Sequence, residues 1–168
     1  MLPIVLDPNM VTAGLAGADA GRERRRAWLA EAGIPAVAIA SDAPDEALKG
    51  LAVLFIAGLS EEQSRALAAR ARLHGALVNV EDIPALCDFH VPAVVRRGDL
   101  LVTVSTGGKA PGLARAMREW LARRLGIEWG GRLDEIAQAR AGWRSDGHSP
   151  EEVSRRTRAL VSEKGWLS

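Results

Sequence analysis

The chain has 168 residues, 48% of them hydrophobic and 26% charged, which is enough for one domain with a sizeable core. Its 22 lysine and arginine residues nearly balance its 21 aspartate and glutamate residues, which argues against a nucleic-acid-binding or membrane-binding surface. One cysteine excludes an intrachain disulfide, and no apolar run reaches the roughly 18 residues of a spanning helix. We therefore expect a soluble, cytoplasmic globular protein.

The first part of the sequence alternates between short apolar runs and helical segments. Strands are predicted at residues 11–16, 36–40, 51–57, 76–80, 93–95 and 100–104, and helices at residues 21–32 and 60–74. Ser60 and Gln63 have the spacing of a capping box at the start of the second helix. This alternation predicts an α/β fold with a mainly parallel sheet. The turn residues 96–99 favour antiparallel pairing of the last two strands.

Strand patterns end after residue 110, and the remainder is predicted to be helical. Helices are expected at residues 111–125 and, after a break at Gly130 and Gly131, at residues 133–143. A last helix should begin with Ser149 as its cap and Pro150 as its first residue. Four of the five tryptophans lie in this part, which suggests that it buries a large surface, including one against a partner. We predict a sheet domain over residues 1–110 and a helical region over residues 111–168.

The loop after the first strand has the position of a Rossmann-type nucleotide turn. Gly17 fits the first glycine of the G-x-G-x-x-G pattern, Ala18 follows it, and Asp19 occupies the second glycine position. Ser41 and Asp42 follow the second strand, where a carboxylate can bind a ribose hydroxyl. An aspartate at the second glycine position brings a negative charge to the place where phosphate should bind. An ordinary strand–helix turn without a nucleotide is therefore an equal alternative. For Asp42, an exposed loop aspartate is more often only a cap than a ribose ligand.

A second anion site is predicted where the last strand opens into a helix. Ser105, Thr106, Gly107, Gly108 and Lys109 form a small, hydroxyl-rich glycine turn at that point. Backbone N–H groups at such a turn and at the following helix N-terminus favour negatively charged groups. Open α/β sheets also place their ligands at strand ends.

Three motifs in residues 79–115 resemble the precorrin-2 dehydrogenase family, the amino-terminal module of siroheme synthase. The first reads Asn-Val-Glu-Asp at residues 79–82, and the second reads Phe-His-Val-Pro-Ala at residues 89–93. The third reads Ser-Thr-Gly-Gly-Lys-Ala-Pro-Gly-Leu-Ala-Arg at residues 105–115. Their order and close spacing make this resemblance much more specific than a glycine pattern alone. No methyltransferase-like domain follows, so the chain is similar to the stand-alone form.

The resemblance implies a Rossmann domain with a helical dimerisation region, and a homodimer. It implies NAD-dependent oxidation of precorrin-2 to sirohydrochlorin in siroheme or cobalamin synthesis, with insertion of Fe(II) or Co(II) in some members. Asp82 matches the catalytic aspartate, which can accept a proton or guide a metal. The resemblance also implies that NAD and the tetrapyrrole substrate lie against separate sets of residues: Gly17, Ala18, Asp19, Ser41, Asp42 and Val80 for the cofactor, and Asn79, Ser105, Thr106, Gly107, Gly108 and Lys109 for the substrate.

Structural roles compete with several of these assignments. Asp82 can simply cap the turn before Pro84, and Asn79 can hold a turn instead of binding a ligand. His90 is either a packed residue or a metal ligand beside Asp82. Cys87 is expected to be a small buried hydrophobic residue. Arg96 and Arg97 are expected in a solvated turn, with contact to substrate carboxylates as the alternative.

The departures from the family pattern fall on the nucleotide side. The family's first loop is typically Gly-Gly-Gly or Gly-x-Gly, whereas residues 17–19 of this chain read Gly-Ala-Asp. The family's third strand commonly ends Ala-Thr-Asp/Asn, whereas residues 57–59 read Ala-Gly-Leu. A second hypothesis is therefore a protein that binds or chelates a tetrapyrrole and has lost NAD binding. A third is a generic Rossmann oxidoreductase acting on another small molecule, which leaves residues 79–115 unexplained.

Overall fold

The computed structural model describes residues 2–167, except for the side chain of Asp19. Six strands and five α-helices form in chain order. The strands are β1 (Ala13–Gly17), β2 (Ala36–Ile39), β3 (Val53–Ala57), β4 (Leu77–Val80), β5 (Ala93–Arg97) and β6 (Leu100–Val104). The helices are α1 (Asp19–Glu31), α2 (Glu61–Leu73), α3 (Pro111–Arg124), α4 (Trp129–Ser145) and α5 (Pro150–Glu163).

The chain divides into two compact units, Met1–His90 and Val91–Ser168. Strands β1 to β4 form a parallel sheet in the order β2-β1-β3-β4, and β5 pairs with β6 as an antiparallel hairpin. The predicted α/β, Rossmann-like fold and the antiparallel pairing are therefore confirmed. Among the described strands, β5 and β6 hydrogen-bond only to each other, and the hairpin belongs to the second unit. The predicted functional division at residue 110 stays a prediction.

The first unit has its core on the β1-β3-β4 strands and the inner face of α2. All five residues of β3 are buried, as expected of a strand covered on both faces. Helix α2 buries Leu67, Ala68 and Ala71 against the sheet, and α1 buries Leu29. The capping box is confirmed, because the N–H of Gln63 donates to Ser60 Oγ over 3.2 Å and the N–H of Ser60 donates to Gln63 Oε1 over 3.2 Å.

The second unit differs from the sequence prediction at α4. Two separate helices form here as predicted, but the break lies at residues 125–128, and Gly130 and Gly131 belong to the first turn of α4. Gly130 packs against the β5–β6 turn, where a Cβ on Gly130 would lie 3.4 Å from the carbonyl oxygen of Arg97. The glycine thus allows close packing of the helix and does not end it. Helix α5 begins as predicted, with Ser149 Oγ accepting from the N–H of Glu152 over 3.2 Å.

Candidate active site

The carboxyl ends of β1 and β3 form the topological switch point of the sheet. These strands are neighbours although β2 lies between them in sequence, and open parallel sheets bind ligands in the crevice at such a point. Gly17 has a φ of 117°, and a Cβ there would lie 1.7 Å from the carbonyl oxygen of Ala57. The N–H of Ala18 donates to the same oxygen over 3.3 Å. Only glycine fits at position 17, because any side chain there would overlap the backbone of β3.

The backbone N–H groups in the first turn of α1 receive no hydrogen bond from the side chain of the N-cap residue. Ala18 is the N-cap, in extended conformation, and its methyl group cannot accept a hydrogen bond. The helix start therefore fits a diphosphate, which binds N–H groups at a helix N-terminus. The Asp19 side chain lies outside the described residues, so its predicted conflict with phosphate stays a prediction. Ser41 and Asp42 are both exposed just beyond β2, and their cofactor role also stays a prediction.

The side chain of Glu81 lies against the first turn of α1. Its N–H donates to the carbonyl oxygen of Ile56 over 2.9 Å, which continues the β3–β4 pairing by one residue. Its carboxylate reaches α1, where a Cβ on Gly21 would lie 2.5 Å from Glu81 Oε2. Arg24 Nη2 and Arg25 Nη2 lie 3.4 Å and 3.9 Å from Glu81 Oε1. The nucleotide side of the unit therefore contains a carboxylate that the sequence prediction did not include.

Asp82 follows Glu81 and has an unusual backbone. Its φ is 61°, and it is the one non-glycine residue with positive φ in the described part of the chain. Aspartate tolerates this left-handed conformation better than most residues, but at an energetic cost. Its side chain is exposed, just beyond the carboxyl end of β4. Strained, exposed polar residues at sheet ends are found at functional sites, so the geometry suits the predicted catalytic role.

The loop that contains Asp82 is held against the outer edge of β4 by side chains. Asp88 Oδ2 accepts from the N–H of Val78 over 2.8 Å, and the N–H of Asp88 donates to the carbonyl oxygen of Val78 over 2.8 Å. Cys87 Sγ accepts from the N–H of Val80 over 3.2 Å. Arg72 Nε lies 3.0 Å from both oxygens of Asp88, and Arg72 Nη2 donates to the carbonyl oxygen of Leu86. We call residues 78–88 with Arg72 the edge clasp.

Cys87, Asn79 and Val80 therefore have clear structural roles. Cys87 is half-buried and packs against the hydrophobic core, close to the prediction of a small buried hydrophobic residue, and its Sγ is also hydrogen-bonded to the backbone of Val80. Asn79 is buried, and its Nδ2 donates to the carbonyl oxygen of Phe89 over 2.9 Å, which is the turn-holding alternative. The Val80 side chain belongs to the hydrophobic core. Ligand contacts of Asn79 and Val80 stay predictions, as does metal binding by His90, whose side chain is exposed.

The glycine turn between β6 and α3 folds through its own hydroxyl groups. Ser105 Oγ accepts from the N–H of Gly107 over 3.3 Å, and Thr106 Oγ1 accepts from the N–H of Ala110 over 3.2 Å. Gly107 and Gly108 have φ values of 65° and 78°, which explains the need for glycine. Gly108 and Lys109 are exposed. The N–H of Lys109 also donates to the carbonyl oxygen of Thr106 over 3.2 Å. Three of the backbone donors that the sequence suggested for an anion are thus already used, and binding by the rest of the turn stays a prediction.

Arg97 does not lie in a solvated turn as predicted. It is half-buried, and its guanidinium donates to the carbonyl oxygens of Leu125 and Ala122 over 2.6 Å and 2.9 Å. Carbonyls at a helix C-terminus lack intrahelical partners, so Arg97 satisfies the end of α3.

Among the described residues, no group of three or more His, Cys, Asp or Glu side chains is arranged to hold a metal ion. No helix in the described part of the chain is long and apolar enough to cross a membrane.

The family model described as "Putative NAD(P)-binding" matches residues 5–93, just over half of the chain and nearly the whole of the first unit. The chain belongs to this NAD(P)-binding family. Siroheme synthase from Methylobacillus flagellatus is 50% identical over 68 residues, which are 40% of this chain and 15% of that protein. Siroheme synthase from Xylella fastidiosa is 34% identical over 145 residues, 83% of this chain and 27% of that protein.

Among solved structures, the precorrin-2 dehydrogenase SirC matches with a TM-score of 0.74 at 16% identity, covering 100% of this chain and 93% of SirC. At that identity the likeness concerns the fold. The predicted resemblance of this NAD(P)-binding family member to siroheme synthase and precorrin-2 dehydrogenase is confirmed. The chain nevertheless spans only 15% to 27% of the length of the two siroheme synthases above, so the activity of those whole proteins does not transfer directly.

Asp88 stands out in the sequence as the second carboxylate of this stretch, but its contacts and those of Glu81 and Arg72 were not predicted. The Glu81 carboxylate contacts arginines of α1 that are 56 and 57 positions away, and Arg72 is 16 positions from Asp88. Pairings at such separations leave no local pattern in the sequence. The one available signal was that Glu81 precedes the predicted catalytic residue within the first resemblance motif.

Proposed function

We propose that this chain oxidises precorrin-2 to sirohydrochlorin with NAD, with Asp82 as the acid/base group. The exposed, left-handed position of Asp82 beyond β4, in a chain of this NAD(P)-binding family with siroheme synthase relatives, carries the proposal. The carboxyl edge of the sheet holds both the switch point and Asp82. Cofactor and reacting group therefore share one edge of the first unit.

Oxidation of the ring removes a hydride and a proton from the macrocycle and leaves a new double bond. Bound NAD would supply the hydride acceptor, held by the Gly17–Ala18 turn and by Ser41 and Asp42. The Asp82 carboxylate accepts the proton, for which it must be ionised before the step. The edge clasp ties Cys87 and Asp88 to β4, and the side chain of Asp82 in the same loop is exposed, so a substrate can reach it.

Substrate recognition falls to groups that suit a polycarboxylate. Lys109 offers an exposed ammonium group, and the turn at Gly108 leaves backbone open to solvent. Charge-assisted hydrogen bonds from such groups to carboxylates are about twice as strong as neutral ones. Sirohydrochlorin can in turn accept Fe(II) or Co(II), with Asp82 and His90 as the candidate guides; this metal would be a substrate of the protein.

We also propose that the second unit forms a homodimer interface. Leu113, Met117 and Trp120 lie on one face of α3 and are all more than 40% exposed. Their i, i+4, i+7 spacing makes a continuous apolar stripe, which a second copy would cover. Sedimentation velocity tests this proposal. Met117→Lys should shift the dimer to monomer, whereas Arg123→Lys, on the same helix but outside the apolar stripe, should not.

The decisive experiment follows sirohydrochlorin formation by its absorption during anaerobic incubation with precorrin-2 and NAD. Asp82→Asn keeps the size of the side chain and tolerates positive φ, so it isolates the loss of the proton acceptor. We expect its rate to fall by about 10²-fold or more. Asp134→Asn, an exposed change on α4, should leave the rate unchanged. Full activity in Asp82→Asn would overturn the assigned role.

A second function is supported by the carboxylate of Glu81 at the helix start and by Asp19 in the glycine pattern. Glu81 brings negative charge to the start of α1, and the sequence pattern predicts the same of Asp19. Negative charge at a diphosphate site favours a tetrapyrrole-binding or chelating protein that does not use NAD. Calorimetric titration with NAD, with and without sirohydrochlorin, separates the two functions. Saturable NAD binding supports the dehydrogenase. Sirohydrochlorin binding without NAD binding supports the second function. Measurable Co(II) insertion would then indicate a chelating protein, and its absence a carrying protein.

A further inference from the structure

Glu81 occupies a position that an external anion would also favour. Only 21% of its side chain is exposed, and its carboxylate lies against Gly21 in the first turn of α1. Arg24 and Arg25, on the same helix, lie within 4 Å of Glu81 Oε1. The carboxylate is therefore surrounded by the helix start and by two guanidinium groups.

These are the groups that a dinucleotide diphosphate needs. The N-terminus of a helix carries about half a positive charge, and arginine binds phosphate through paired N–H donors. A carboxylate held at the same helix start weakens the local positive potential. It also engages Arg24, whose side chain is otherwise 66% exposed and free to reach a ligand.

We propose that Glu81 is an internal competitor that lowers the affinity of the first turn of α1 for diphosphate groups and so sets the cofactor affinity of the protein. Glu81 acts on binding and takes no part in the chemical step. The inference rests on the proposed function in one respect, namely that the diphosphate belongs to NAD. The competition itself concerns any diphosphate.

The test is isothermal titration of the wild type and Glu81→Gln with NAD and, separately, with inorganic diphosphate at low ionic strength. We expect Glu81→Gln to bind both ligands about 3- to 10-fold more tightly, and the gain to shrink at 0.5 M salt because screening weakens the charge effect. Glu31→Gln is the matched control. Glu31 is the exposed last residue of α1, roughly 15 Å or more from the helix start, so its loss should not change affinity.

A second variant tests the arginine part of the competition. Arg24→Gln should weaken diphosphate binding more strongly in the Glu81→Gln background than in the wild type, because Glu81 holds Arg24 in the wild type. A double-mutant cycle measures this difference. Arg24 is mostly exposed, so its replacement should not disturb folding.

The outcomes separate this inference from the proposed function. Unchanged or weaker diphosphate binding by Glu81→Gln, or no diphosphate binding by either protein, overturns the competition. Tighter diphosphate binding without any NAD binding supports the competition and overturns the dehydrogenase. Tighter binding of both ligands supports both.

Discussion

Asp88 and Val78 exchange two hydrogen bonds of 2.8 Å, one through the Asp88 carboxylate and one through its N–H. The pair closes the outer edge of β4, the strand that leads into Glu81 and Asp82. An unpaired edge strand is open to pairing with other chains, and here side chains occupy its donors. The same loop that carries Asp82 therefore also covers the edge of β4.

We expect Asp88→Ala to destabilise the protein by about 1–3 kcal/mol, because the N–H of buried Val78 loses its acceptor. Asp88→Asn keeps an acceptor oxygen and loses only the ionic part of the contact with Arg72, so its effect should be smaller. Urea unfolding of the two variants and the wild type measures the difference. Equal stability of all three would show that the clasp contributes nothing.

Gly17→Ala should destabilise the protein by at least about 2 kcal/mol, since a Cβ would overlap the carbonyl oxygen of Ala57 and the residue has positive φ. Gly131→Ala in α4 is the matched control. A Cβ there meets no atom of the described residues within 4 Å, and alanine favours helix by up to about 1 kcal/mol. Thermal unfolding should therefore shift in opposite directions for the two changes.

Asp82→Gly should separate stability from activity. Glycine adopts a φ of 61° without strain, so the free energy of unfolding should stay the same or rise by up to about 1 kcal/mol. Sirohydrochlorin formation should nevertheless fall by about 10²-fold or more, because the carboxylate is gone. A stable but fully active Asp82→Gly protein would contradict the catalytic assignment, and a clearly destabilised one would contradict the strain.

The stabilising contact of Asp45 should depend on pH. The hydrogen bond from Arg70 over 2.7 Å, followed by the contact with His74 at 3.5 Å, lowers the pKa of Asp45. A lowered pKa stabilises the folded state at pH values above the ordinary aspartate pKa of about 4, and this contribution is lost as pH falls through the folded pKa. The stability difference between wild type and Asp45→Asn should therefore shrink from pH 5 to pH 3, as the Asp45 carboxylate becomes protonated. A constant difference would contradict the assignment.

Local sequence patterns predicted most of the secondary structure. The capping box at Ser60 and Gln63 and the Ser149–Pro150 start of α5 form as predicted, because both depend on residues within one helical turn. Gly130 misled the prediction, because its role is to let α4 pack against the β5–β6 turn. The hairpin was predicted as a pair, yet its separation from the parallel sheet depends on contacts with α3 and α4 that no local pattern records.

The sequence by itself determined the α/β class, the resemblance to siroheme synthase, and Asp82 as the candidate reacting group, because motifs and periodicity are short-range properties. Only the tertiary structure decided what holds and surrounds that group. Asp88 and Cys87 cover the free edge of β4, Arg72 reaches them from α2, and Glu81 meets the start of α1. The Glu81 contact joins residues 57 positions apart, because the parallel sheet brings the end of β4 close to the start of α1. The contacts of Asp88 and Cys87 form because the loop after β4 folds back along the edge of that strand.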